Sequence, residues 1–272
     1  MPSLNTITVS QLARLIGTPD APVIVDARID EDFNDDPCLI PGSFRHPHTK
    51  IDEIATRLRG RKVVIACWKG LKLSEGAAAL LRSNGVAAEI LEGGCIAWRE
   101  AGQPMVPAAC LPRRNGEGQT VWVTRHRPKI DRIACPWLIR RFVDPAAQFL
   151  FVSPAQVEAV AEKFNATPFD VENVFWSHRG EMCSFDTMLE EFALQTEPLS
   201  KLAMIVRGAD TNRHDLAPEA AGLLAASLGL SRMYKDDLQQ LEAGMSLYDA
   251  FYRWSRDATD EGHDWPAPGR KG

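Results

Sequence analysis

The sequence predicts two domains: a small α/β domain with a parallel sheet, followed by a predominantly helical α+β domain. The chain has 272 residues, more than one average domain, and 45% of them are apolar, enough for two cores. Near-continuous apolar runs alternate with helical stretches in its first part, which is typical of parallel strands buried on both faces. A proline- and glycine-rich stretch at residues 104–119 marks the boundary. We expect a first domain at residues 1–107, a linker at 108–119 and a second domain at 120–260.

The elements of both domains follow from periodicity and turn residues. A short strand and a helix capped by Ser10 are expected first, and Gly85 is expected to end a later helix. In the first domain, the predicted strands are residues 21–28, 62–67 and 87–91, and the predicted helices are residues 50–58 and 74–85. In the second domain, the predicted strands are residues 120–125 and 147–153, and the predicted helices are residues 131–143, 154–165, 185–194, 198–207, 218–228 and 236–257.

The composition excludes several classes of protein. No segment approaches the roughly 18 continuous apolar residues of a membrane span, and the N-terminus lacks the pattern of a signal peptide. The six cysteines include no C-x-x-C pair, so any important cysteine should act as a thiol. The net charge is −5 and neither half is basic, which argues against nucleic acid as a partner. We expect a cytoplasmic protein without membrane contact.

Cys67 is the candidate nucleophile of the first domain. It ends the predicted strand 62–67, and ligand sites in open α/β sheets lie beyond the carboxyl ends of strands. The N–H groups of the following loop, with Gly70 at its tight turn and the charges of Lys69 and Lys72, would stabilise a thiolate, a persulfide or an oxyanion. The alternative from these residues alone is a small buried side chain, because cysteine is often buried.

Three motifs of the first domain resemble those of the rhodanese-like sulfurtransferases. Asp26-x-Arg28 precedes an Ile-Pro-Gly turn, the loop reads "CWKGLKLSEG", and "LEGGCIAWREAGQP" closes the domain. The resemblance implies that Cys67 takes sulfane sulfur from a small-molecule donor and holds it as a persulfide. A thiol or a cyanide-like acceptor would then receive it, and no cofactor is required. Asp26 and Arg28 would brace the loop or line its mouth. The remaining loop residues are Trp68, Lys69, Gly70, Leu71, Lys72 and Ser74.

The loop departs from the family pattern after its glycine. The family's Arg-Ser pair reads Lys72-Leu73-Ser74, so an apolar side chain stands where a polar one is common. The longer loop also resembles that of dual-specificity phosphatases, which require an arginine six residues after the cysteine. That position is Leu73, so phosphatase activity is not expected. The departure bears on substrate choice more than on the chemistry of the cysteine.

Three polar clusters interrupt the apolar sequence of the second domain, at residues 124–141, 177–186 and 207–215. One interpretation treats them as ion pairs and helix caps, with Ser184 and Asp215 as the caps. In another, imidazole, carboxylate and thiol groups bind a transition metal, namely those of His178, Glu181, Cys183, Asp210 and His214. In a third, arginines form a cage for a tetrahedral dianion, namely Arg125, Arg127, Arg132, Arg179 and Arg207.

No compact metal-binding spacing decides among these interpretations. His126 and His263 are expected at the surface, and Trp137 and Trp176 in the core.

Most of residues 120–257 resembles the C-terminal domain of chromate-resistance proteins of the ChrB type. The matching segments are "VTRHRPKIDRIACPWLIRRFVDP", "SHRGEMCSFD", "IVRGADT" and "LAPEAAGLLAASLGLSRMY". The resemblance implies a link to chromate resistance, with chromate as a candidate partner, but no catalytic residues can be carried over from it. We therefore predict a rhodanese-type sulfurtransferase linked to chromate resistance. The alternatives are an oxyanion-responsive sensor with a non-catalytic rhodanese domain, and a metal-dependent redox enzyme in the second domain.

Overall fold

A computed structural model describes residues 5–262 of the chain. The first domain contains one five-stranded sheet in which every paired neighbour runs parallel, and a short antiparallel pair beside it. The strands are β1 (Thr6–Ile7), β2 (Val23–Asp26), β3 (Cys38–Leu39), β4 (Ser43–Arg45), β5 (Lys62–Ala66), β6 (Ala87–Leu91) and β7 (Val106–Pro107). The order in the large sheet is β1-β6-β5-β2-β4, which confirms the predicted parallel α/β domain.

Both faces of this sheet are buried, as its apolar strands predict. In β5, Val63 and Ile65 belong to one apolar cluster, whereas Val64 between them belongs to another. The helices of the domain are α1 (Val9–Leu15), α2 (Asp30–Asp35), α3 (Ala55–Leu58), α4 (Lys72–Ser83) and α5 (Gly94–Glu100), with 3₁₀ segments at His48–Ile54 and Ala108–Cys110.

Two helix ends test the predicted caps. Gly85 follows the C-cap of α4 as predicted, and the next residue, Val86, donates its N–H to the Leu81 carbonyl at 3.0 Å. The prediction of Ser10 as the first N-cap is wrong. The N-cap of α1 is Thr8, two residues before Ser10, and its side chain accepts the Gln11 N–H at 3.2 Å.

The second domain is mostly helical around a small parallel sheet, which confirms the predicted α+β class. Its strands are β8 (Val121–Arg125), β9 (Gln148–Val152) and β10 (Thr167–Pro168), in the order β10-β8-β9. Its helices are α6 (Asp131–Leu138), α7 (Val157–Phe164), α8 (Ser184–Glu191), α9 (Glu197–Asp210), α10 (Ala220–Met233) and α11 (Asp237–Asp257), with a π turn at Ile139–Val143 and a 3₁₀ turn at Pro154–Gln156.

Neither predicted cap of the second domain is observed. Cys183 is the N-cap of α8, and Ser184 lies inside the helix with its hydroxyl directed to Asp170. α10 begins at Ala220, too far along the chain for Asp215, which pairs with Arg213 instead.

Trp137 and Trp176 are buried and His126 is exposed, as expected, while His263 lies outside the described residues.

The two domains share one apolar core. A single cluster of buried side chains includes Leu12 and Trp98 of the first domain together with Phe142 and Tyr252 of the second. The backbone N–H of Gly42 also donates to the Phe142 carbonyl at 2.6 Å. Among residues 5–262, no helix is long and apolar enough to cross a membrane.

Candidate functional site

Cys67 lies directly after β5, at the start of a loop that leads into α4. Only 4% of the residue is exposed. Its carbonyl accepts the Cys95 N–H at 2.9 Å, and the Trp68 carbonyl accepts the Ile96 N–H at 3.1 Å. The loop is therefore fixed, backbone to backbone, against the start of α5.

Two glycines make this close approach feasible. A Cβ atom on Gly70 would lie 2.4 Å from the Leu91 carbonyl oxygen, and one on Gly94 would lie 2.2 Å from that of Cys67. Both glycines also have positive φ angles, which L side chains rarely adopt. The curl of the loop after the cysteine thus depends on glycine on each side of the contact.

The other loop residues divide into an exposed and a buried group. Lys69, Leu71 and Lys72 are exposed around the first turn of α4, so two positive charges lie near its N-terminus. Ser74 is fully buried in the same turn, and its Oγ has no hydrogen-bond partner in the described part of the chain. The loop therefore offers a hydroxyl, two ammonium groups and helix N–H groups.

Asp26 and Arg28 form a buried ion pair beside the loop. Arg28 Nη2 lies 2.6 Å from Asp26 Oδ2, and the same guanidinium donates to the carbonyls of Asp36 at 3.0 Å and Cys38 at 2.6 Å. The Arg28 guanidinium carbon is 6.0 Å from the centroid of the Trp68 ring. The Arg28 guanidinium thus connects the end of β2 to the backbone at the start of β3.

Cys95 is the cysteine that contacts the backbone of the Cys67 loop. Burial, followed by the negative charge of Asp26, raises the pKa of the Cys95 thiol to about 12. Cys95 therefore stays protonated at neutral pH and offers no competing thiolate.

A second constellation lies in the other domain, at the start of α6. His178 Nε2 is 3.4 Å from Asp131 Oδ2, 3.4 Å from Asp170 Oδ1 and 3.2 Å from Asp210 Oδ2. We call these four residues the His178 cluster. Three carboxylates from separate parts of the chain thus converge on one imidazole nitrogen.

The segment before α6 fixes the position of Asp131. Ile130 has a φ of 42°, which is unusual for a β-branched residue. Its N–H donates to Ser227 Oγ at 3.2 Å, and its carbonyl accepts the Tyr248 hydroxyl at 3.0 Å. The helices α10 and α11 therefore hold the strained turn that directs Asp131 into the cluster.

Ser184 holds two of the carboxylates. Its N–H donates to Asp131 Oδ2 at 2.6 Å and its hydroxyl donates to Asp170 Oδ1 at 2.8 Å. Asp131 is fully buried, and its other oxygen, Oδ1, has no hydrogen-bond partner among the described residues.

The charges of the cluster shift its protonation equilibria. Burial raises the pKa of Asp131 to about 7. The neighbouring carboxylates of Asp131, Asp170 and Asp210 raise the pKa of His178 to about 12. Burial acts to raise the pKa of Asp170 as well, but the hydrogen bonds from His178 and Ser184 and nearby arginines hold it below its ordinary value.

Comparison with known families identifies both domains. Residues 8–101 match the model of the rhodanese-like domain, and residues 122–255 match that of the ChrB C-terminal domain. The chain carries a rhodanese-like domain followed by a ChrB C-terminal domain.

Individual relatives cover parts of the chain. The Protein ChrB of Cupriavidus metallidurans is 34% identical over 156 residues, which are 56% of this chain and 46% of that protein, so the match spans less than half of the relative's length. A crystal structure of a rhodanese-like domain protein from Staphylococcus aureus is 29% identical, with a TM-score of 0.31, and the match covers 35% of this chain and 91% of that one. A rhodanese-related protein from Thermoplasma volcanium is 25% identical, with a TM-score of 0.33, and the match covers 38% and 97%.

The ChrB domain brings together only part of the predicted metal set. His178 and Asp210 meet, whereas Glu181 and His214 are exposed and contribute no atom to the cluster. Cys183 is fully buried at the N-cap of α8, where burial raises the pKa of its thiol well above the ordinary value.

Asp131 and Asp170 were missed by the sequence interpretation. They follow the carboxyl ends of β8 and β10, which are adjacent parallel strands, and this is the edge at which side chains of such sheets meet. A prediction of β10 would have indicated the pair, but a two-residue strand ending in proline gives no periodic signal.

The five arginines proposed as an oxyanion cage have four separate sets of partners. Arg125 and Arg132 both pair with Asp170, at 3.4 and 3.3 Å, and Arg207 lies 3.8 Å from Asp186. By contrast, Arg127 donates to the carbonyls of Ser231 and Tyr234, and Arg179 pairs with Glu191 at 2.5 Å.

A cavity of about 1420 Å³ lies between the domains, lined by Pro41, Arg57 and Arg141 among others. Neither Cys67 nor any member of the His178 cluster lines it, so we do not assign the chemistry to this space.

Proposed function

We propose that the protein is a sulfurtransferase that carries sulfane sulfur as a persulfide on Cys67. The observation that supports it is the position of Cys67, at the end of a central parallel strand and the start of a glycine-shaped loop into α4. Beyond the carboxyl ends of such strands, loop N–H groups and a helix N-terminus favour a bound anion.

The transfer consists of two displacements without net oxidation. The Cys67 thiolate attacks the outer sulfur of thiosulfate, a new S–S bond forms, and sulfite leaves with the electron pair of the broken S–S bond. An acceptor such as cyanide or a thiolate then attacks the outer sulfur of the persulfide. The bond between the two sulfur atoms breaks, the transferred sulfur leaves on the acceptor, and the Cys67 thiolate is restored.

The loop residues have distinct proposed roles. The negative outer sulfur is stabilised by the N–H groups of the loop and by the hydroxyl of Ser74, in the manner of an oxyanion hole. Lys69 and Lys72 attract the anionic donor to the loop. The buried ion pair of Asp26 and Arg28 keeps this end of the sheet rigid while the loop is loaded and unloaded.

The assay for this function is thiocyanate formation from thiosulfate and cyanide by the full chain. We expect activity in the parent protein and its loss in Cys67→Ser. Cys110→Ser should retain activity, because this half-exposed cysteine lies in the 3₁₀ segment after β7. Mass spectrometry after thiosulfate treatment should find one added sulfur atom on Cys67. A parent protein without thiocyanate formation and without the added sulfur would contradict the proposal.

A second candidate function is the binding of an oxyanion such as chromate by the ChrB domain. Its support is that Arg125, Arg132 and Arg207 each have a buried Nε atom that makes no hydrogen bond to any described residue. The Nε atoms of Arg132 and Arg207 lie 3.3 and 3.8 Å from carboxylate oxygens of Asp170 and Asp186, without a hydrogen bond to them. Guanidinium groups suit tetrahedral oxyanions, and the resemblance to ChrB-type proteins implies a link to chromate resistance.

Calorimetry of the full chain with chromate tests this second function. Arg132→Ala should weaken binding at least tenfold, whereas Arg213→Ala, which removes an exposed arginine paired with Asp215, should leave it unchanged. Equal affinity in the parent and Arg132→Ala, or no heat in the parent, would reject it.

A further inference from the structure

We propose that the His178 cluster is a binding site for one divalent first-row transition-metal cation, held by Asp131, Asp170 and His178, with Asp210 beside His178 as the fourth ligand. This site is separate from the Cys67 loop and does not depend on sulfur transfer.

The distances within the cluster fit a shared cation. Nitrogen and oxygen ligands bind such ions at about 2.0–2.2 Å, and a tetrahedral arrangement then places the ligand atoms about 3.3–3.6 Å apart. His178 Nε2 lies 3.2–3.4 Å from one oxygen of each carboxylate. The ligand atoms of Asp131, Asp170 and His178 all lie within 4.8 Å of one another, whereas Asp210 lies outside that set and approaches it through His178.

A single hydrogen on His178 Nε2 does not account for the approach of three carboxylate oxygens to this atom. The Nε2 atom of an imidazole carries at most one hydrogen, so it can direct a linear bond at only one of three oxygens. Charge-assisted N–H···O bonds are about 2.7–2.9 Å long, and all three distances in the cluster exceed that range. The single hydrogen on Nε2 therefore leaves at least two of the three carboxylate oxygens without a hydrogen bond from His178.

An independent observation points to a missing positive group. Asp131 is fully buried, and its Oδ1 atom has no hydrogen-bond partner in the described part of the chain. Buried carboxylates are normally paired or bound to metal, because an uncompensated charge there is costly. A cation bound between the carboxylates would compensate the negative charge of Asp131.

The surroundings resemble those of a metal site. Ser184 donates to both Asp131 and Asp170, as outer groups that orient ligands do. One side of the cluster is open, since the side chains of His178 and Asp210 are 40% and 21% exposed. A cation can therefore enter from solvent.

The donor set indicates the class of ion. Three carboxylates and one imidazole suit Mn²⁺, Fe²⁺ or Zn²⁺ better than a thiolate-binding ion such as Cu⁺. Arg125 and Arg132 pair with Asp170 and offset part of the carboxylate charge, which favours a divalent ion over one of higher charge.

Titration of the full-length, tag-free, chelator-treated protein with Zn²⁺ alone and Mn²⁺ alone tests the proposal. We expect one equivalent of at least one of these ions to bind in the parent protein. His178→Gln and Asp210→Asn should each weaken binding at least tenfold. Glu181→Gln and His214→Gln are the matched controls, because both residues are exposed outside the cluster, and they should bind like the parent.

Circular dichroism identifies any variant that fails to fold, and Ser184→Ala gives a milder perturbation. Loss of its hydroxyl should weaken binding about 10- to 100-fold, as for other outer groups of metal sites. The absorption spectrum of the Co²⁺-loaded parent protein supplies a second readout, which should change in His178→Gln. No binding of either Zn²⁺ or Mn²⁺ by the parent would overturn the proposal, as would equal affinity in the folded ligand variants and the parent. Thiocyanate formation, measured in parallel, should be the same in the parent protein and in all of these variants. The experiment therefore distinguishes failure of the metal-site proposal from failure of the proposed Cys67 function.

Discussion

At the scale of single residues, the Cys67 loop depends on Gly94. The position allows no side chain, since an added Cβ would lie 2.2 Å from the Cys67 carbonyl oxygen and 2.4 Å from the Gly70 nitrogen. The residue also has a φ of 63°. Any substitution therefore moves the backbone that carries the cysteine.

We predict that Gly94→Ala lowers the free energy of unfolding by about 1–3 kcal/mol and reduces thiocyanate formation. Gly76→Ala is the matched control, because Gly76 lies inside α4 with open space around it. It should raise stability by about 0.5–1 kcal/mol and leave activity intact. Denaturant unfolding and the thiocyanate assay measure both, and a fully active, equally stable Gly94→Ala would contradict the prediction.

Residue chemistry alone predicted half of the His178 cluster. His178 and Asp210 are predicted as ligands because imidazole and carboxylate groups suit transition metals. Glu181 and His214 have the same chemistry, but loop residues have no fixed period, so their spacing could not show that they are exposed. Only the fold determines which of these side chains converge.

At the scale of elements, the turn before α6 is held by neighbouring helices. Ile130 donates its N–H to Ser227 on α10, and Gln240 on α11 donates to the Pro128 carbonyl at 2.5 Å. This turn places Asp131 at the first residue of α6, so the geometry of the cluster rests on contacts with two helices far along the chain.

We predict that Ser227→Ala lowers the free energy of unfolding by about 1–3 kcal/mol, because the buried Ile130 N–H loses its acceptor. Ser255→Ala is the control, since Ser255 is also a buried helical serine but its hydroxyl has no partner among residues 5–262. It should change stability by less than about 0.5 kcal/mol. Equal losses in the two variants, measured by denaturant unfolding, would contradict this account.

Elements with a clear period were predictable, and short ones were not. The predicted strand 62–67 and helix 236–257 differ from β5 and α11 by one residue at an end, because apolar runs and 3.6-residue periodicity define them. β10 has two residues and was missed, and with it the position of Asp170.

At the scale of the whole molecule, the shared core joins the domains into one packed unit. Phe142 follows α6 in the ChrB domain, yet it packs beside Gly17 of the rhodanese-like domain and makes an edge contact with Tyr252 at 5.5 Å between ring centroids. At this contact the surfaces of the two domains are apolar and closely fitted.

We predict that the protein unfolds in a single calorimetric transition and that Phe142→Ala lowers the stability of the whole chain by about 3–5 kcal/mol. Phe164→Ala is the control, because Phe164 is largely exposed at the end of α7, and it should have little effect. Two separate transitions, of which Phe142→Ala shifts only one, would show that the domains unfold independently.

The contact at Gly17 restricts which domains can be joined to this ChrB domain. A Cβ atom at Gly17 would lie 2.3 Å from Phe142 Cζ and 2.8 Å from Tyr252 Cε1, so the two rings fill a notch that exists only where the partner domain lacks a side chain. A transplanted rhodanese-like domain with any larger residue there would not seat on these rings. An exchange of domains between such proteins therefore has to keep the glycine at position 17 together with the rings of Phe142 and Tyr252.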